Sequence, residues 1–232
     1  MLVDKVKHLA EALHHEVVHV RRHLHSYPEL SFEEYETSKF VQRKLSEYGV
    51  DFTNGIAGTG VVALVKGRNP DRKTIALRAD MDALPIQEAN EVPYRSKHPG
   101  KMHACGHDVH TASLLGACKI LHDLRGEFEG AIKFIFQPGE ERTPGGASLM
   151  IREGVLENPA PSGIIGQHVY NLLPAGTVGF RSGMMMASCD EIDLYIRGKG
   201  GHGAVPQLSI DPVAISAQII TALQQLVSRN AD

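Results

Sequence analysis

Four short apolar runs constrain this chain more than any other feature: "GVVALVKG" (60–67), "KTIALRADMDALPI" (73–86), "AIKFIFQPGEE" (131–141) and "GIIGQHV" (163–169). They are rich in Val and Ile and read as buried strands. Between the later runs the sequence turns helical or turn-rich. Asp108 to Leu124 has apolar spacing suited to a helix, and "GGASLMIREGVL" suggests a shorter one. Ahead of the strands, Leu2, Val6, Leu9, Leu13, Val17, Val20 and Leu24 recur at steps of three and four, which predicts an amphipathic helix over 2–25. A second helix is expected from Phe32 to Tyr48, stopped by Gly49. Strands alternating with helices imply an α/β sandwich with a mostly parallel central sheet, and such sheets take ligands at the carboxyl ends of their strands.

Composition narrows the partners. A net charge of −3 over 232 residues offers no electrostatic footprint for nucleic acid or anionic lipid, and no apolar run approaches the length of a membrane span. Small molecules are the expected partners. The N-terminus "MLVDKVKHLAEALHHEVVHVRRHLH" mixes charge with apolar residues and lacks the pattern of a secretory signal. Cys105, Cys118 and Cys189 are odd in number and far apart, which argues against a disulfide framework. A cytoplasmic protein is the expectation from both.

Reactive residues fall where a ligand would sit. Asp80 and Asp82 follow "TIAL", Glu140 and Glu141 follow "IKFIF", and His168 ends "GIIGQ". Three strand ends therefore converge. The cluster "MHACGHDVH" (102–110) stands just before a predicted helix, whose amino end should lower a thiol's pKa, so Cys105 is expected as a thiolate. His107, two residues on, can be turned toward the same point. Thiolate, imidazole and carboxylate form a ligand set that divalent transition metals prefer. His8, His14, His15, His19 and His23 share one predicted helix without a carboxylate or cysteine at ligand spacing, and they and Cys118 are given no role.

At these residues the chain resembles a known family. "RADMDALPI", "MHACGHDVHTASLLGA", "FQPGEE…GGASLMIREG" and "GQHV" match, in order and spacing, the metal-dependent aminoacylase and carboxypeptidase family. Its nearest subgroup holds hippurate hydrolases, indole-acetyl-amino-acid hydrolases and N-acetyl-diaminopimelate deacetylases. "RRHLHSYPELSFEE" and "RGKGGHGAVP…SIDPVAISAQIITALQQLVSRN" are similar to that subgroup too, so the likeness covers nearly the whole chain. It implies a three-layer, zinc-peptidase-like sandwich over 1–183 and the beginning of an inserted α+β lid and dimerisation domain over 184–232. It also implies two divalent ions, Zn or Mn foremost and Co or Ni as alternatives, with the Cys105 sulfur shared between them. His107, Glu141 and His168 would be the other ligands, Glu140 the general base, and Asp82 the carboxylate that fixes and polarises a ligand. Asp80 stands where distant relatives carry a metal-binding histidine and receives no role.

Within the second region, "DEIDLYIRGKG" alternates apolar and polar residues, which predicts a strand over 191–197, and Asp211 should cap a helix over 212–228. By the resemblance, His202 would reach across a homodimer to the substrate carbonyl or its oxyanion. Pro206-Gln207 departs from the subgroup's usual Pro-His. Relatives continue for more than a hundred residues past the point equivalent to Asp232 and supply a last histidine ligand there. The sequence is therefore expected to be a fragment or a shortened form, or the protein to have lost part of its site. The implied reaction is hydrolysis of N-acyl-L-amino acids. The alternatives are dipeptide or carboxypeptidase cleavage, and a non-catalytic fragment that holds one structural metal. A free Glu140 beside a liganded Glu141 favours catalysis, because a closed structural zinc site has no spare base. The 232 residues alone are expected to show weak or absent hydrolysis in a metal-supplemented assay, and robust turnover would overturn that expectation.

Overall fold

A computed structural model describes residues 1–186 and 191–230 of the chain. Cys189 lies outside the described residues. The chain divides into two compact units, Met1–Ala175 and Gly176–Asp232.

The first unit contains α1 (Leu2–Ser26), α2 (Tyr35–Glu47), β1 (Phe52–Ile56), β2 (Gly60–Lys66), β3 (Thr74–Asp80), α3 (His107–Asp123), β4 (Ala131–Gln137), α4 (Gly146–Arg152) and β5 (Ile164–Gly166). The strands form one sheet in the order β1-β2-β4-β3-β5. β2 is antiparallel to both β1 and β4, whereas β4, β3 and β5 run parallel. Only β2 opposes the common direction, although two of the four ladders are antiparallel. The four strands expected from the apolar runs of this unit are present. β1 was not expected, because its burial runs intermediate at both ends and exposed across Thr53, Asn54 and Gly55, leaving no apolar signal.

Alternation along β4 divides the core. Phe134 and Phe136 join Val61, Ala63, Val65, Leu115, Cys118, Val41 and Leu45 on the face covered by α1, α2 and α3. Ile135 joins Ala76, Met150 and Val155 on the face covered by α4. That is the expected layered sandwich. Gly116 permits α1 to approach α3 closely, since a Cβ there would lie 2.8 Å from Val17 Cγ2. The second helix begins three residues later than expected, because Phe32 takes a left-handed φ of 66° that no helix accommodates.

In the second unit α5 (Pro212–Asn230) is capped as predicted, with Asp211 Oδ1 accepting from the Val213 and Ala214 N–H groups at 2.9 and 3.3 Å. The strand expected over 191–197 does not form. Its alternating pattern supplies a face but no neighbour, and the bridge between Lys199 and Ile210 is the only pairing in this unit among the described residues. Backbone polar groups define a strand only through a ladder. Among the described residues no helix is long and apolar enough to cross a membrane.

Phe134 is fully buried between the sheet and its helices. Phe134→Ala is expected to destabilise the first unit by about 3–5 kcal/mol, read as a fall in its urea midpoint; an unchanged midpoint would contradict this account of the core.

Candidate metal centre

Parallel registry brings the chemistry to one edge. Asp80 pairs with Gln137 at the ends of β3 and β4, and Gly166 closes β5 beside Arg78. The residues that follow, Asp82, Glu140, Glu141 and His168, therefore leave the sheet together. Cys105 and His107 arrive from the start of α3, where Gly106 turns the chain at φ 96°. A side chain at residue 106 would strike Val169 Cγ2 at 2.3 Å, so the approach requires glycine.

Two imidazoles are prepared in the same way. The Nδ1 of His107 lies 2.9 Å from the Asp82 carbonyl oxygen and 3.2 Å from Asp82 Oδ1. Carbonyls only accept, so Nδ1 carries a proton there. Nε2 is then left buried and without a hydrogen-bond partner. It faces Asp80 Oδ2 at 3.6 Å, Glu141 Oε1 at 3.8 Å and Glu140 Oε2 at 3.9 Å. His168 likewise donates from Nδ1 to the Val169 carbonyl at 2.7 Å and turns Nε2 to within 3.2 Å of Cys105 Sγ. Glu141 Oε1 is also buried and unpartnered. Buried lone pairs left without a partner, on His107 Nε2 and Glu141 Oε1, fit a cation better than a closed hydrogen-bond network.

Potential ligand atoms of Cys105, His107 and His168 lie within 4.8 Å of one another, as do those of His107, Glu140 and Glu141. His107 belongs to both groups. A third group, Asp80, His107 and His110, is compact but already engaged. His110 Nδ1 binds Asp80 Oδ1 at 2.6 Å and its Nε2 accepts from the Val169 N–H at 2.9 Å, while Asp80 Oδ2 pairs with Arg78 at 2.6 Å. Asp80 and His110 thus brace the wall behind His107. Sequence reasoning left both without a role, although the i, i+3 spacing of His107 and His110 on α3 was a usable signal.

Electrostatics corrects one expectation. Cys105 was to be acidified by the amino end of α3, yet burial, followed by the charge of Glu141 and its hydrogen bond, pushes its thiol up to about 12. Burial and three carboxylates, those of Glu141, Glu140 and Asp80, outweigh one helix end. Burial and repulsion from Glu141 also raise Glu140. Burial works against His107 protonation, but the Asp82 hydrogen bond and the charge of Asp80 overcome it and raise that pKa. The cluster is short of positive charge, which a divalent cation would supply in place of protons.

His202 lies in the second unit, exposed in a turn where its Nδ1 accepts from the Ala204 N–H at 3.2 Å. Cys118 is buried in the core and unpaired. Of the histidines left without a role, His8, His14, His15 and His19 are exposed, and His23 stacks on Phe40.

Residues 76–231 match the model of peptidase family M20/M25/M40. The chain belongs to this family. It is 46% identical over 232 residues to an N-acyl-L-amino acid amidohydrolase of Geobacillus stearothermophilus, covering 100% of the chain and 62% of the relative. An IAA-amino acid hydrolase ILR1-like 5 of Arabidopsis thaliana is 49% identical over 217 residues, 93% of the chain and 48% of the relative. The Bacillus subtilis YXEP protein, described as a dinuclear metal binding peptidase of the M20 family, superposes with a TM-score of 0.72 at 41% identity, over 93% of this chain and 57% of that one. The chain therefore spans about half to three fifths of the length of these relatives.

A thiol with a pKa of about 12 is neutral at pH 8, so a cation that binds it must displace a proton. Cobalt binding followed by calorimetry in buffers of different ionisation enthalpy is expected to release about one proton fewer from Cys105→Ser than from the unaltered protein. Equal proton release would remove Cys105 from the metal centre.

Proposed function

We propose that this protein hydrolyses the amide of N-acyl-L-amino acids, with Cys105, His107, Glu141 and His168 holding two divalent cations and Glu140 acting as general base. The observation that carries the reading is the unequal pair of neighbouring glutamates. Glu141 turns a buried, unpartnered oxygen toward His107, whereas the Glu140 side chain is 43% exposed and near the same imidazole. That difference supports giving Glu141 to the cations and leaving Glu140 free as the base. The relatives named for amide hydrolysis of N-acyl amino acids support the substrate class.

Bound divalent cations of the kind this donor set accepts, Zn or Mn foremost, acidify water and polarise an amide carbonyl. The chain's own residues do the rest. Asp82 holds the His107 ring so that Nε2 points into the cluster, and a backbone carbonyl does the same for His168. Glu140, with its pKa raised by burial and by Glu141, is suited to take a proton from the attacking water and return it to the leaving amine. His202 is proposed to donate to the developing oxyanion, and the region over 184–232 to form the start of a lid through which the protein pairs as a homodimer, leaving 1–183 as the metal-binding part. The substrate is a small N-acyl amino acid or short peptide, handled in the cytoplasm.

A panel of N-acetyl, N-benzoyl and indole-acetyl amino acids and of dipeptides, assayed on the whole protein with Zn, Mn, Co and Ni, tests the reaction. Metal-dependent release of a free amino acid from the acyl substrates is the expected result; cleavage of dipeptides alone would reassign it as a dipeptidase. Glu140→Gln is expected to lower turnover by about 10²–10⁴-fold with metal content unchanged. Loss of metal with normal turnover per bound ion would instead make Glu140 a ligand.

A further inference from the structure

The segment "PELSFEE" between α1 and α2 has no part in the reading above, yet it holds a fully buried carboxylate, Glu34. Glu34 occupies the N-cap position of α2, where an acid would ordinarily bind its own helix. It makes no such bond. Glu29 takes that duty from outside, accepting from the Glu36 and Thr37 N–H groups at 3.2 and 2.8 Å. Released from capping, Glu34 points inward. Its Oε1 accepts from the Gly139 N–H at 2.7 Å and the Phe32 N–H at 2.9 Å, and its Oε2 from the Thr59 hydroxyl at 2.6 Å. None of these three partners is a cation, so the charge is buried at considerable expense in solvation.

Gly139 directly precedes Glu140 and Glu141. It has a φ of 54°, and a Cβ on it would lie 2.4 Å from the Phe32 ring, itself carried on a left-handed residue. The turn is closed on its far side by the Gly146 N–H to Gly139 carbonyl bond of 2.8 Å, and Glu141 N–H is held by Asp82 Oδ2 at 2.9 Å. The two glutamates are therefore bracketed, with Glu34 before them and Asp82 within them. Ser31, three residues from Glu34, donates to that same Asp82 oxygen at 2.6 Å.

We propose that Glu34 is a positioning residue for the metal centre: by clamping the Gly139 N–H across to Thr59 it fixes the turn that presents Glu140 and Glu141. This deepens the reading of the site as a metal centre. Position matters here more than charge. Glutamine keeps an acceptor at Oε1 and can offer its amide to the Thr59 oxygen; aspartate keeps the charge but is too short to reach Thr59 and Gly139 together.

The experiment compares Glu34→Gln, Glu34→Asp and Glu34→Ala in the full chain, with three readouts: cobalt affinity, amide exchange and melting temperature. Cobalt titrated alone, followed through its thiolate charge-transfer absorbance, should bind about tenfold or more weakly to Glu34→Asp and Glu34→Ala and within about threefold of unaltered affinity to Glu34→Gln. Hydrogen exchange at Gly139 to Glu141 in the metal-free protein should quicken in Glu34→Asp and not in Glu34→Gln. If Glu34→Asp melts at a lower temperature but keeps both cobalt affinity and amide protection, the role is merely structural and the proposal is overturned; a Glu34→Gln protein as defective as Glu34→Asp overturns it too. Should the unaltered protein bind no cobalt, the metal reading fails, and amide exchange still decides the role of Glu34.

Discussion

One carboxylate, that of Asp82, joins segments of chain that are far apart in sequence. It touches His107 at the start of α3, the Glu141 N–H beyond β4 and the Ser31 hydroxyl beyond α1. Burial disfavours its charge, but these donors more than compensate and hold its pKa below the ordinary value. Each of the three contacts orients something different: a ring, a backbone turn and the N-terminal segment. Remove the carboxylate and the remaining groups lose a common reference. The parallel run of β4, β3 and β5 explains why this can happen at all, since it delivers Asp82, Glu141 and His168 to one edge of the sheet.

A similar arrangement holds the other approach to the site. No helix or strand lies between Asp80 and His107, and the loop is pinned by Glu88, which accepts from the Ser96 N–H at 2.6 Å and pairs with His25 at 3.1 Å. His25 also reaches Asp108 at 2.8 Å, in the first turn of α3. Asp108, chiefly through that bond, raises the pKa of His25 against the effect of burial. The loop bearing Cys105 is thereby tied to α1, whose His25 in turn binds the first turn of α3. Polar groups buried and paired in this way confine a segment that secondary structure does not.

Much of this was legible in the sequence, for identifiable reasons. Continuous Val and Ile runs announced β2 to β5, and the residues directly after them, Asp82, Glu140, Glu141 and His168, could be located from the rule that ligands gather at strand ends. β1 was silent because a solvated edge strand needs no apolar pattern. The strand over 191–197 had the pattern and failed, because pairing depends on a neighbour that alternation does not specify. Ser31, Glu34 and His110 escaped notice for different reasons. Ser31 and Glu34 lie in a segment whose spacing does not distinguish a buried donor or acceptor from a surface side chain, whereas His110 carried a signal in its i, i+3 spacing from His107 that was not used.

The error over Cys105 shows where local reasoning must yield. A helix amino end stabilises an anion by a modest amount that fades within a turn. Against it stand loss of solvation and carboxylates drawn from β3 and the turn after β4, all within the same small volume. Sequence position revealed the helix but not the company. The consequence reverses the causal order expected at the outset: the fold does not make a thiolate that then attracts metal. It assembles an excess of acids and one unpartnered imidazole nitrogen, that of His107, beside a neutral thiol, and a cation held there would take the place of the thiol proton. Metal affinity should then be strongly pH-dependent, because each proton held by Cys105 or His107 must leave before its ligand atom becomes available.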